Sequence, residues 1–141
     1  MLIQLAIATF MVLLTVGIHG GGLLLLARLL RLERRDEQLE NIPPTSLQGI
    51  AATFGVVLGL FLLHGIEIWL YAALYLVLDA MPDLQMAVYF STITYSTIGY
   101  DDKGLPQEWS LIAAIEGING VILLGWSTAF FVSLVGRLYK R

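Results

Sequence analysis

Three long apolar runs, separated by two very different polar connections, lay out this chain of 141 residues. The first extends from Leu2 to about Leu30 with no charge before Arg28. A helix of ~20 apolar residues crosses the hydrocarbon core, so this run predicts a full span. The second, Leu47 to Leu78, carries one formal charge, Glu67. At ~1.5 Å per residue it is about 48 Å long, so it must tilt or protrude. The third runs from Trp109 to about Leu138. Between the last two, Asp83 to about Ser96 suits a helix of roughly 20 Å, too short to cross, which must re-enter on the side it came from. The pattern predicts an all-α membrane protein with three transmembrane helices and a re-entrant helix. It divides into residues 1–46, an added helix with a hydrophilic loop, and residues 47–141, a second helical unit.

Composition and charge sharpen this layout. The chain is 57% hydrophobic and only 13% charged, which excludes an ordinary soluble domain. Its formal charge of -3 conceals a polarity, because the basic residues gather in Arg28, Arg31, Arg34, Arg35 and again in Arg137, Lys140, Arg141. Excess Lys and Arg mark the cytoplasmic side. The N-terminus is therefore expected outside, with the first loop and the C-terminus inside, in a bacterial inner membrane. The first run has neither the basic start nor the small-residue cleavage site of a secretory signal, so it is expected to be permanent. Cysteine is absent, which excludes disulfides and thiolate metal sites.

Other features of the spans and loops have ordinary explanations. Arg28, Arg31 and Arg34 recur at voltage-sensor spacing but stand among Glu33, Asp36, Glu37 and Glu40, beyond the apolar run. A sensor needs its arginines inside the membrane field. Pro43 and Pro44 break the helix, and Thr45 or Ser46 is expected to cap the next one. His19 is expected to be a buried hydrogen-bonding group, and Gly20, Gly21 and Gly22 beside it to permit close approach or a kink. Trp69, Tyr71 and Tyr75 are expected in an interfacial aromatic belt.

The stretch Tyr89 to Lys103 reads Y-F-S-T-I-T-Y-S-T-I-G-Y-D-D-K. Its helical pattern breaks at Thr97 at membrane depth, where irregular backbone is tolerated only if buried in protein or lining a water-filled path. Together with Ala87 to Ser91, A-V-Y-F-S, and the two flanking spans, Thr97-Ile98-Gly99-Tyr100-Asp101-Asp102 resembles the selectivity filter of the potassium channel family, T-V/I-G-Y-G-D. The resemblance covers the chain from Leu47 onward. It implies a homotetramer in which Thr97 offers a hydroxyl and a carbonyl, and Ile98, Gly99 and Tyr100 offer carbonyls, to dehydrated K+. Gly99 must take a conformation closed to other residues, and Tyr100 is expected to brace the loop outward. The C-terminus of the re-entrant helix would favour a cation with its macrodipole.

Asp101 departs from the family pattern, standing where it has a second glycine. Asp tolerates positive φ better than most residues, so the loop is expected to keep its course. Asp101 and Asp102 from every subunit would crowd carboxylates at the outer mouth and bind divalent cations. A less selective monovalent-cation pore is the alternative. Gly125, then Gly120, are candidate hinges. The short tail after Leu138 leaves no ligand-binding domain to expect.

The remaining polar residues of the spans are His64 and Glu67, which share one helix face, and Glu116 and Asn119, which share another. Glu67 falls about 26 Å in from Ile50, and Glu116 about 10 Å in from Trp109, so both reach the outer third. Intramembrane ionisable groups are normally paired, and these residues are expected to form one hydrogen-bonded brace behind the filter. The competing reading is a non-conducting or proton-coupled membrane protein built on His64, Glu67 and Glu116. Nothing points to an enzyme, since a lone H-x-x-E lacks further ligands. No cofactor beyond the permeant K+ and no nucleic-acid partner is expected; the partners are lipid, monovalent cations and further copies of the chain.

Overall fold

The computed structural model describes residues 1–33, 46–99 and 104–138. The basic loop from Arg34 to Thr45, the tail from Tyr139, and Tyr100 to Lys103 lie outside the described residues. Every regular element is helical: α1 (Leu2–Glu33), α2 (Leu47–Val77), α3 (Leu84–Tyr95), a 3-10 turn (Gln107–Trp109) and α4 (Ser110–Leu138). Among the described residues three stretches, Leu2–Leu29, Gly49–Val77 and Gln107–Leu134, are long and apolar enough to cross a membrane.

Local chemistry fixes the helix ends. Ser46 is extended and its hydroxyl accepts from the Gly49 N–H at 3.1 Å, supplying the expected start of α2. Asp83 does the same for α3, accepting from the Met86 N–H at 2.8 Å. In the turn between them Asp79 takes a positive φ of 51°, a conformation that Asp tolerates. At the other end of the bundle, the Gln4 side chain donates to the Glu108 carbonyl. The N-terminus of α1 therefore lies on the same side as the turn before α4, and residues 46 and 138 lie on the other.

The apolar core occupies the half of the bundle nearer that turn. Ala8 and Met11 of α1, Tyr71, Ala72 and Tyr75 of α2, Ala87 and Phe90 of α3, and Ile112 of α4 pack together. Tyr75 meets Phe90 edge to face at 5.2 Å, a favourable aromatic geometry. Tyr71 and Tyr75 are fully buried, which overturns the expectation of an interfacial belt; Trp69 alone of the three is exposed. Their hydroxyls face polar groups inside the bundle, described below.

The glycines of α1 produce close approach and no break, since the helix runs without interruption past Gly20, Gly21 and Gly22. A Cβ at Gly22 would stand 2.6 Å from Leu63 of α2, and a Cβ at Gly59 of α2 would stand 2.6 Å from Leu26 of α1. Each helix thus offers a glycine notch to a leucine of the other. Between α3 and α4 the approach is tighter still: a Cβ on Gly120 would collide with the Tyr95 carbonyl oxygen.

Candidate functional site

α3 is aimed by its cap and stops inside the bundle. Its Ala87, Phe90, Ser91, Ile93 and Tyr95 are buried. At its C-terminal end Thr97 takes φ 60° and Gly99 φ 55°. The Thr97 N–H donates to the Thr94 carbonyl and the Gly99 N–H to the Ile93 carbonyl, both at 3.0 Å. The chain therefore leaves the helix through a hydrogen-bonded turn, the first part of the irregular backbone expected here. The reason is local: the last carbonyls of a helix lack intrahelical donors, and in a single protomer the loop's own amides supply them. Gly99 does occupy the conformation its residue type permits. Thr97, Ile98 and Gly99 are exposed on this protomer, beside an open groove of about 480 Å³ between α3 and α4. Tyr100, Asp101 and Asp102 lie outside the described residues.

Behind this segment the buried polar side chains, with the half-buried His64, fall into three groups, so His64, Glu67, Glu116 and Asn119 do not make a single brace. The first group is a ring. Tyr95, the last residue of α3, donates to Glu67 Oε2. Glu67 Oε1 is 2.9 Å from His19 Nδ1, and His19 Nε2 is 3.2 Å from Ser127 Oγ. Ser127 Oγ is 2.9 Å from His64 Nε2, and His64 Nδ1 is 2.9 Å from the Tyr95 hydroxyl. Trp126 lies against His19, ring to ring at 5.4 Å.

The second group surrounds Glu116, which accepts from the Tyr75 hydroxyl and the Ser91 hydroxyl, each at 2.5 Å. It ties α4 to α2 and to the middle of α3. In the third, Asn119 Nδ2 donates to Thr15 Oγ1 at 2.8 Å and to the Tyr71 hydroxyl at 3.3 Å. Residues sharing a helix face thus reach different partners, because each face is met by more than one neighbouring helix. Among the described residues no buried side-chain nitrogen or oxygen lacks a partner.

His19 is the buried hydrogen-bonding group that was expected, but spacing within one helix could not find its partners, nor Thr15, Ser127, Tyr95 or the two tyrosines of α2. One signal was available: His19 and Thr15 are polar residues of an otherwise apolar run, and such groups require partners from another helix. Of the candidate hinges, Gly120 is a close-packing position, whereas a Cβ at Gly125 would meet nothing within 4 Å. α4 continues through both.

With this geometry in view, residues 56–137, more than half of the chain, match the model of a family described as an ion channel. The match takes in α3, the loop, nearly all of α4 and α2 from Val56 onward, and leaves out α1. No curated protein and no solved structure matches the chain.

Proposed function

The chain belongs to an ion channel family, and on that premise we propose that it is the subunit of a tetrameric, potassium-selective channel. The observation that carries this reading is a short helix that stops within the bundle, anchored from behind at its last residue, and delivers the sequence Thr97-Ile98-Gly99-Tyr100. Backbone carbonyls of these residues, arranged in rings by subunits around one axis, would replace the hydration shell of K+.

Two features support assembly. Gln85, Tyr89 and Thr92 form an exposed polar stripe along α3, a helix at membrane depth. Hydrocarbon cannot solvate such a face, whereas neighbouring subunits and a hydrated pore can. The groove beside Thr97 is lined by Ala114, Ile118 and Val121 of α4, and offers a seat for the next subunit. In this reading α4 is the inner helix, the protein lies in a bacterial inner membrane with its N-terminus outside, and Asp101 and Asp102 ring the outer mouth as a divalent-cation site.

Asp101 favours a second reading, a weakly selective monovalent-cation pore, because it replaces a glycine of the pattern. Flux from purified protein in liposomes, K+ against Na+, separates the two. Selective K+ efflux is expected. Equal K+ and Na+ flux would establish the second reading, and no flux at any pH or potential would exclude both.

A further inference from the structure

The ring behind α3 draws one or more members from every helix: His19 from α1, His64 and Glu67 from α2, Tyr95 from α3 and Ser127 from α4. His19, outside the family match, is wholly buried within it. Each of the five contacts in the ring needs one hydrogen between its two heavy atoms. Two neutral imidazoles, a serine and a tyrosine bring one each. With Glu67 as a carboxylate the ring is therefore one hydrogen short, and one pair of acceptors must face each other bare.

A single further proton closes it. On Glu67, it lets the carboxyl donate to His19 Nδ1; His19 Nε2–H then donates to Ser127, Ser127 to His64 Nε2, His64 Nδ1–H to Tyr95, and Tyr95 back to Glu67. On His19, the same proton makes an imidazolium facing the carboxylate, and every other bond stays as it was. Both forms are neutral overall, the condition for burial in an apolar surround. The shorter path from His64 Nδ1 to Glu67 Oε2, 3.3 Å, reuses a hydrogen already counted.

We propose that this ring is a proton-binding site holding one dissociable proton per subunit, shared by Glu67 and the two histidines, and that His19 acts through it as a positioning residue for Tyr95 and the segment that follows. Release of the proton to solvent leaves one contact open and a net negative charge beside the C-terminal, negative end of α3. Around the ring, α1 contributes no titratable group but His19, α3 none but Tyr95, and α4 faces it with Ser127 and Trp126. The nearest further titratable groups, Tyr71 and Glu116, are engaged in the other two networks.

The inference rests on the channel reading for its consequence, though not for its chemistry, and the test keeps them apart. Gln at position 67 is nearly isosteric and completes the ring by itself: its amide N–H donates to His19 Nδ1 and its carbonyl accepts from Tyr95. K+ flux in liposomes is measured from mildly acid to strongly alkaline pH for wild type, Glu67→Gln and His19→Ala, alongside infrared titration of the same membranes. Wild-type flux is expected to lose most of its amplitude as pH rises, in a step of one proton per subunit. Glu67→Gln is expected to conduct at every pH, and His19→Ala to conduct poorly throughout. In the infrared, a protonated-carboxyl or imidazolium band should vanish over the same step and be missing from Glu67→Gln. A flat wild-type profile, or Glu67→Gln following the wild-type profile or conducting as poorly as His19→Ala, would overturn the proposal. The infrared step without any wild-type flux would preserve the proton site and sink the channel reading. Flux without that step would do the reverse.

Discussion

Gly120 is where α3 and α4 leave no room for a side chain, because any Cβ there would enter the Tyr95 carbonyl oxygen. Backbone cannot yield as a side-chain tip can. Gly120→Ala is therefore expected to destabilise the assembled protein by about 1–3 kcal/mol, the usual cost of overpacking, read as a lower Tm in detergent. Gly125→Ala meets open space and gains helix propensity of about 1 kcal/mol. It should keep or raise Tm, so a loss of flux in that variant alone would mark Gly125 as a hinge. Glu116→Ala deprives the buried Tyr75 hydroxyl of its acceptor, whereas Ser91 keeps the Ile68 carbonyl at 3.0 Å, so the expected cost is about 1–3 kcal/mol for the one group left without a partner. An unchanged melting curve would show that the Tyr75 hydroxyl finds another acceptor. On the K+-selective reading proposed above, Asp101→Gly should retain K+ selectivity and weaken block by external Ba2+; a large gain in K+ over Na+ selectivity would favour the weakly selective reading instead.

The helices themselves were legible in the sequence, down to the length of α3 and a cap at Thr45 or Ser46, of which Ser46 serves, because span length, breakers and capping residues are local properties. Their pairing was not. His64 and Glu67 do share a face and a network, but Glu116 and Asn119, three residues apart on α4, bond to different residues: Glu116 to Tyr75 of α2 and Ser91 of α3, Asn119 to Tyr71 of α2 and Thr15 of α1. Periodicity shows which residues point the same way and not what stands opposite. α1 is the clearest case, since it reads as an addition to the channel unit and yet supplies Thr15 to Asn119 and His19 to Glu67. Residues 46–141 expressed without α1 are therefore expected to assemble with a lower Tm than the full chain. Equal Tm values would mean that lipid or water replaces those contacts. The break at Thr97 was legible, but the hydrogen-bonded turn it takes was not, because that turn depends on which donors reach the last carbonyls of α3.

At the scale of the molecule, the proposed orientation rests on the distribution of basic residues, and the Gln4 contact places the N-terminus of α1 beside the turn before α4. Native cysteine is absent, so single cysteines introduced at Gln4 and after Ser46 give clean reporters. The first is expected to react with an impermeant thiol reagent from outside only, the second from inside only; the opposite pattern would invert the assigned topology. The paired notches of α1 and α2 have a mechanical consequence. Gly22 receives Leu63 and Gly59 receives Leu26, so the two contacts are related by a local dyad across antiparallel helices. An axial slip would drive both leucines out of their sockets at once, like a key with two teeth. The hairpin of α1 and α2 is thus keyed against sliding, and any displacement of one helix relative to the pore must carry the other along as a single lever.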